Sequence, residues 1–270
     1  MDGDAIRIDA PRQIIAIGDS LTAGSMPGIT EYAPFAEPVN WKLLATSYPH
    51  VLGKMLSGND AGDLILNLGR SGSTTREWLP GARWEKMDVK NFPLNGPPLD
   101  EIMQFSQKVK LALVMLGTND VCQSMVPDPI SRRLGGVVGY EDEAFIPLRE
   151  NLIVILAKLR EQGIAPYLAK IPPILYRGGL AFAQLDRLLF FTAKVQQRFD
   201  LFVRMVNARI EEICTSYPLL ARKGPDFYSL FKDRSDIWVK DRLHFNDTGY
   251  RLMAEAWADL LITDGIKISL

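Results

Sequence analysis

Ser20 stands in the stretch "AIGDSLTAG" (residues 16–24), where an apolar run ends in glycine and meets a hydroxyl. Two readings fit these nine residues. In one, Gly18 supplies a permissive backbone, Asp19 hydrogen-bonds its own chain, and Ser20 caps a following helix. In the other, Ser20 is a nucleophile on a rigid strand end, which requires a base, an orienter for that base and donors for an oxyanion. The chain holds two histidines. His50, in "SYPHVLGKML", opens an amphipathic stretch and is expected to face solvent at a helix start. His244, in "KDRLHFNDTGY", has Asp241 three residues before it. A carboxylate at that spacing in a loop can reach imidazole Nδ1–H, set the tautomer and stabilise the imidazolium. The ordinary alternative is a surface Asp and His at a helix start.

Two further stretches carry candidate donors. "NLGRSGST" (residues 67–74) contains Gly72, whose backbone N–H has no side chain beside it; the plainer reading is a turn glycine. "GTNDV" (residues 117–121) contains Asn119, which can offer a side-chain N–H or close a local Asx turn. Taken together, Ser20, His244, Asp241, Gly72 and Asn119 are the inventory of acyl transfer: nucleophile, base, orienter and donors to a developing oxyanion.

The elements that must position them are legible as alternating patterns. "QIIAIG", "DLILNLG", "LALVMLG" and "APYLAKIPP" are continuous apolar runs, as strands buried on both faces of a parallel sheet require, and "DFYSLF" is a weaker fifth. Between them, "PHVLGKML", "PLDEIMQFSQKV", "PLRENLIVILAKLREQG" and "VRMVNARIEEICTSY" repeat apolar residues at helical spacing. "DTGYRLMAEAWADLLI" closes the pattern, with Asn246 or Asp247 as its N-cap. Strand–helix alternation predicts one α/β domain over residues 1–270 with right-handed crossovers.

Three connections are long: 23–46, 121–146 and 176–199. All leave strand ends, where open α/β sheets bind ligands, so they are candidate site walls. The third reads either as a helix packed on the body or as an apolar lid. No proline falls between Pro173 and Pro218, and one helix over that span would run roughly 60 Å. A break is therefore expected between Thr192 and Asp200, with a later helix near Val203 to Tyr217 on the sheet. The earlier helix would bring Leu185, Leu188, Leu189 and Phe190 toward an acyl pocket.

Composition narrows the class. The 270 residues are 47% apolar and 23% charged, which excludes a disordered or fibrous chain. A net charge of −1 gives no electrostatic reason for a nucleic-acid partner. Cys122 and Cys214 have no metal-like spacing and are expected as free thiols. "MDGDAIRIDAPR" lacks a basic-then-apolar leader pattern, and no apolar run reaches the roughly 18 residues of a membrane span, so the expected location is cytoplasmic. G-x-S-x-G, Walker A and G-x-G-x-x-G patterns are absent, and histidines at 50 and 244 cannot form H-E-x-x-H.

The four blocks "GDSLTAG", "NLGRSGST", "GTNDV" and "DRLHFNDTGY", in this order, resemble those of the GDSL (SGNH) hydrolase family. "NARI", starting at Asn207, is similar to the family's helix before the last block, and the likeness runs from about Gln13 to Leu261. The resemblance implies a flavodoxin-like three-layer α/β/α sandwich with five parallel strands in order 2-1-3-4-5. It also implies a Ser20–His244–Asp241 triad and an oxyanion hole of the Ser20 and Gly72 backbone N–H groups with the Asn119 side chain. The implied activity is hydrolysis of a small-molecule carboxylic ester through an acyl-enzyme, lipase- or esterase-like, with no metal or organic cofactor. The alternatives are acyl transfer or thioester cleavage at the same site, and a catalytically silent binding module of the same fold. The three long loops depart from compact members and bear on the substrate.

Overall fold

In the computed structural model, the described residues are 6–24, 47–58, 64–82, 84–87, 93–96, 99, 108–125, 145–175, 193–239 and 242–269. Asp241, Leu185, Leu188, Leu189 and Phe190 lie outside them, as do most of the three long connections and most of "PLDEIMQFSQKV". Strands β1 (Ile14–Gly18), β2 (Ile65–Asn67), β3 (Leu111–Met115), β4 (Ala165–Lys170) and β5 (Arg222–Asp226) form one sheet in the order β2-β1-β3-β4-β5. Every pairing is parallel. Every residue of β1 and β3 is buried, which is why their sequences are apolar without alternation.

The helices are α1 (Ser20–Ala23), α2 (Tyr48–Ser57), α3 (Thr118–Ser124), α4 (Ile146–Glu161), α5 (Ala193–Ser216), α6 (Phe227–Phe231) and α7 (Asp247–Thr263). A 3₁₀ turn covers Thr75–Trp78. Helix α2 packs on α7, and α4 on α5, and these pairs flank the sheet to complete a three-layer α/β/α sandwich. Cys122 and Cys214 are free and buried among the helices. His50 is half-buried in the first turn of α2 rather than fully in solvent. Two small pairs were not anticipated. Arg7–Ile8 runs parallel to Lys267–Ile268, and Trp84–Met87 runs antiparallel to Pro93–Gly96.

The fifth strand differs from expectation. "DFYSLF" is not a strand: Asp226 accepts the Ser229 N–H at 2.9 Å and caps α6. Phe227 and Phe231, four apart, are both buried and stack at 5.9 Å, so the residues that suggested a strand form one face of a helical turn. The strand is the polar "RKGPD" before it, paired only with β4. An edge tolerates Pro225, which has no N–H to offer the ladder. Gly224 lets β5 approach closely, because a Cβ there would lie 2.7 Å from the Ala169 nitrogen.

Helix α5 also exceeds expectation. It is unbroken from Ala193 to Ser216, so no break falls between residues 193 and 200 and the helix begins well before Val203. The buried stripe Phe199, Phe202, Val203, Val206, Ile210 and Ile213 continues across the expected break. Its 24 residues span about 36 Å, a length the domain can flank. Gln196 Nε2 donates to the Ile174 carbonyl at 2.6 Å, and Asn207 clasps the Ile171 backbone with bonds of 2.8 and 3.0 Å, fixing the helix to the end of β4.

Between β1 and α1 sits a fully buried carboxylate. Asp19 Oδ1 accepts the Leu21 N–H at 2.9 Å, while Oδ2 makes no hydrogen bond among the described residues and has the Thr118 hydroxyl as a polar neighbour. Burial raises the Asp19 pKa from 3.8 to about 6, against the Leu21 and Thr118 contacts and the His244 charge, which lower it. The folded chain thus binds this proton more tightly than the unfolded chain. Stability contributed here falls as pH rises from about 4 to about 6, and the deficit, about 3 kcal/mol, is complete above that window. Asp19→Asn keeps the acceptor for Leu21 and sets an amide nitrogen toward Thr118. Calorimetry should show a melting temperature raised by about 5 °C or more at pH 8, with the gain vanishing at pH 4. Equal melting temperatures at pH 8 would mean that Asp19 carries no buried charge.

Candidate functional site

Strand β1 must end on glycine. A Cβ on Gly18 would fall 2.0 Å from the Thr22 Oγ1 and 2.8 Å from the Met115 carbonyl of neighbouring β3. The chain turns there into α1, with Ser20 as its first helical residue, 6% exposed. Helix α1 closes on Gly24 in the left-handed region, φ 81°. From below it rests on β2's exit: a Cβ on Gly69 would lie 2.2 Å from the Ala23 nitrogen, and Asn67 Nδ2 donates to the Thr22 carbonyl at 2.8 Å. Ser20 is thereby held by the two strands beside it.

His244 arrives from the other end of the chain. Ile237–Asn246 doubles back on itself through a Trp238–Phe245 bridge, with the Val239 N–H on the His244 carbonyl at 3.0 Å and the Asn246 N–H on the Ile237 carbonyl at 2.9 Å. Phe245 anchors this hairpin by packing on Trp238, Phe231 and Tyr250 at 4.5, 4.8 and 5.8 Å. Asn246 is the N-cap of α7, accepting the Gly249 N–H at 3.0 Å, so the histidine is fixed two residues before the cap of a helix. Its Nε2 lies 2.9 Å from the Ser20 hydroxyl. With the ring proton on Nδ1, Nε2 accepts the serine proton. Arg242, at φ 54°, donates its N–H to the Val239 carbonyl at 3.0 Å.

Gly72 and Asn119 sit on the exits of β2 and β3, the strands flanking β1. The Arg70 N–H on the Gly18 carbonyl at 2.9 Å continues the sheet past its last pair. The loop then turns, with the Ser73 N–H on the Arg70 carbonyl at 3.0 Å and Gly72 at φ 75°, a conformation that favours glycine. Arg70 lies flat on Trp78 at 3.8 Å beneath this turn, and burial lowers its pKa to about 10. Trp78 Nε1 donates to the Ser73 hydroxyl at 3.1 Å, and a Thr74–Glu77 capping box closes the 3₁₀ turn. Asn119 Nδ2 donates to the Ser73 carbonyl at 3.0 Å, which joins it to the residue after Gly72 and leaves a second N–H on the same nitrogen.

Of the residues singled out in the sequence, the structure brings Ser20 and His244 into contact and links Asn119 to the Gly72 loop. It shows Asp19 bonded to its own chain, as the turn reading expected, and adds residues the sequence reading passed over: Asp120 with Thr75 and Asn151 behind the loop. The available signal was a carboxylate immediately beside Asn119 at the end of an apolar run. Among the described residues no group of three or more His, Cys, Asp or Glu is placed to hold a metal ion, and no helix is long and apolar enough to cross a membrane.

The chain is similar to known proteins in sequence pattern and in fold. Residues 16–252 match the GDSL-like lipase/acylhydrolase family. No curated protein matches the sequence. Among solved structures, the psychrotrophic esterase EstA from Pseudoalteromonas sp. is similar with a TM-score of 0.52 at 15% identity, over 93% of this chain and 96% of that one. Axe2, an acetylxylan esterase from Geobacillus stearothermophilus, gives 0.53 at 17% identity over 94% and 95%. The lipase Lip_vut3 from a goat rumen metagenome gives 0.53 at 18% identity over 97% and 98%. At such identities the likeness is one of fold, whereas the family match runs from inside β1 into α7 and takes in all four motif blocks. On that match the chain belongs to the GDSL-like lipase/acylhydrolase family of hydrolases.

Proposed function

We propose that this protein hydrolyses small carboxylic esters through an acyl-enzyme on Ser20. The observation that carries this reading is the 2.9 Å contact between His244 Nε2 and the Ser20 hydroxyl. A serine hydroxyl is a weak nucleophile until an adjacent base takes its proton, and this pair is within the distance that transfer requires. Ser20 Oγ attacks the ester carbonyl as its proton passes to His244. The carbonyl π electrons move onto oxygen. Asp241, three residues before His244, orients the ring through Nδ1–H and stabilises the imidazolium. Collapse of the tetrahedral adduct breaks the bond to the alkoxide, which leaves with the proton from His244. A water, deprotonated by His244, then attacks the acyl carbon, and Ser20 recovers its proton as the acid leaves.

The oxyanion is assigned to three donors. Ser20, as first residue of α1, has a backbone N–H outside the helix's own ladder. The Gly72 N–H and the Asn119 Nδ2 complete the set, supported by the bond that ties Asn119 to the Gly72 loop. The leucines and phenylalanine at 185–190 remain our candidates for the acyl wall.

Ser20→Ala and His244→Ala should each lower kcat on p-nitrophenyl acetate by several orders of magnitude while the fold is kept, and the double variant should be little worse than either. Additive losses would mean that the two residues do not share a step. Asp241→Asn, which favours the wrong tautomer, should also be severely impaired.

Asn119→Ala should reduce kcat by about 10²–10³ with KM little changed, because an oxyanion donor acts mainly in the transition state. A raised KM with kcat intact would instead assign Asn119 to ground-state binding. Steady-state kinetics on the same ester separates the two.

A further inference from the structure

The loop that carries Gly72 is held at two points by consecutive residues of α3. Asn119 takes the Ser73 carbonyl at 3.0 Å. Asp120 takes Thr75: its carboxylate accepts the Thr75 N–H at 3.1 and 3.3 Å and the Thr75 hydroxyl at 2.7 Å. The same hydroxyl oxygen accepts Asn151 Nδ2 from α4 at 3.1 Å. Thr75 is fully buried, so donor and acceptor sides of its hydroxyl are both used within the protein. One hydrogen bond between a loop and a helix is a hinge. Two bonds to neighbouring helical residues, which point in directions about 100° apart, fix the loop's rotation as well as its place. Bonds to an ionised carboxylate are roughly twice as strong as neutral ones, which suits Asp rather than Asn at 120.

Resting on the reading of Gly72 and Asn119 as oxyanion donors, we propose that Asp120, acting through Thr75, is a positioning residue that sets the separation of those two donors. Gly72 precedes the clamped segment 73–75, and Asn119 precedes Asp120 on α3, so both donors are one residue from an anchored atom. Donors to an oxyanion must meet a narrow range of distance, and a misplacement of about 1 Å costs about 100-fold in rate. Asn151 extends the clamp to α4, so a third element holds the Thr75 hydroxyl in the orientation that Asp120 uses.

The test is a set of variants read in two assays: hydrolysis of p-nitrophenyl acetate, and the second-order rate of covalent labelling by a fluorophosphonate, whose P=O oxygen takes the oxyanion's place. Thr75→Val keeps the shape and removes the hydroxyl. It should lower kcat and the labelling rate about 10- to 100-fold with KM within about twofold. Thr75→Ser should restore most of the loss. In an Asn119→Ala background, Thr75→Val should cost less than about threefold more, because the separation it sets no longer matters once one of the two donors is gone. Full kcat in Thr75→Val with only a lower melting temperature, or a multiplicative loss in the double variant, overturns the positioning role. If Thr75→Val does not fold, Asp120→Asn, which leaves one acceptor oxygen for two Thr75 donors, is read by the same cycle with the same criteria. A wild type that is not labelled at Ser20 and cleaves no ester overturns the hydrolase reading and this role with it. A labelled wild type with an indifferent Thr75→Val overturns the positioning role alone.

Discussion

The contact between Ser20 and His244 joins residues 224 positions apart, and much of the fold is arranged to close it at 2.9 Å. The serine is held from below by the sheet. Gly18 and Gly69 allow a backbone approach that any side chain would block, so α1 is pressed onto the exits of β2 and β3. The histidine is held from above by an aromatic anchor, Phe245, and by the capped start of α7. Neither half is rigid alone: a four-residue helix does not persist in water, and a hairpin of this length is marginal. They become rigid because the sheet and α7 are packed into one core.

That core carries charge close to the contact. Asp19 is fully buried behind Ser20, and Asp120 and Arg70 lie beneath the loop that bears Gly72. Burial raises both carboxylates and lowers the guanidinium, so each charge is held at a cost in stability. The compensation is local. Asp19 holds the first turn of α1, Asp120 holds Thr75, and Arg70 spreads under Trp78 with its N–H on the Glu77 carbonyl at 3.0 Å. Charged anchors cluster where backbone must be held at the carboxyl end of the central strands, while β1 and β3 themselves are wholly apolar. Such a division suits a site that needs fixed dipoles more than it needs added stability.

Much of this was legible in the sequence. Four strands announced themselves as continuous apolar runs, and the glycine, serine and asparagine after them, ordinary turn residues one by one, stood out as a set of four blocks in order. The fifth strand was not legible. "RKGPD" is polar because it is an edge, and "DFYSLF" mimics a strand because two phenylalanines four apart in a helical turn also sit among apolar neighbours. The length of α5 was misjudged for a related reason: helical periodicity shows where a helix faces the core but not where it starts, which Gln196 and Asn207 decide by binding the end of β4.

By itself, then, the sequence determined the α/β class, the strand ends that bear Ser20, Gly72 and Asn119, and the loop that bears His244, because hydrophobic period and turn chemistry are local properties. Only the tertiary structure decided that His244 meets Ser20, that Asn119 reaches the Ser73 carbonyl, and that Asp120, Thr75 and Asn151 clamp the loop between them. These are contacts between separate elements. Their distances depend on parallel strand register and on the close approaches at Gly18 and Gly69, which no window of neighbouring residues encodes.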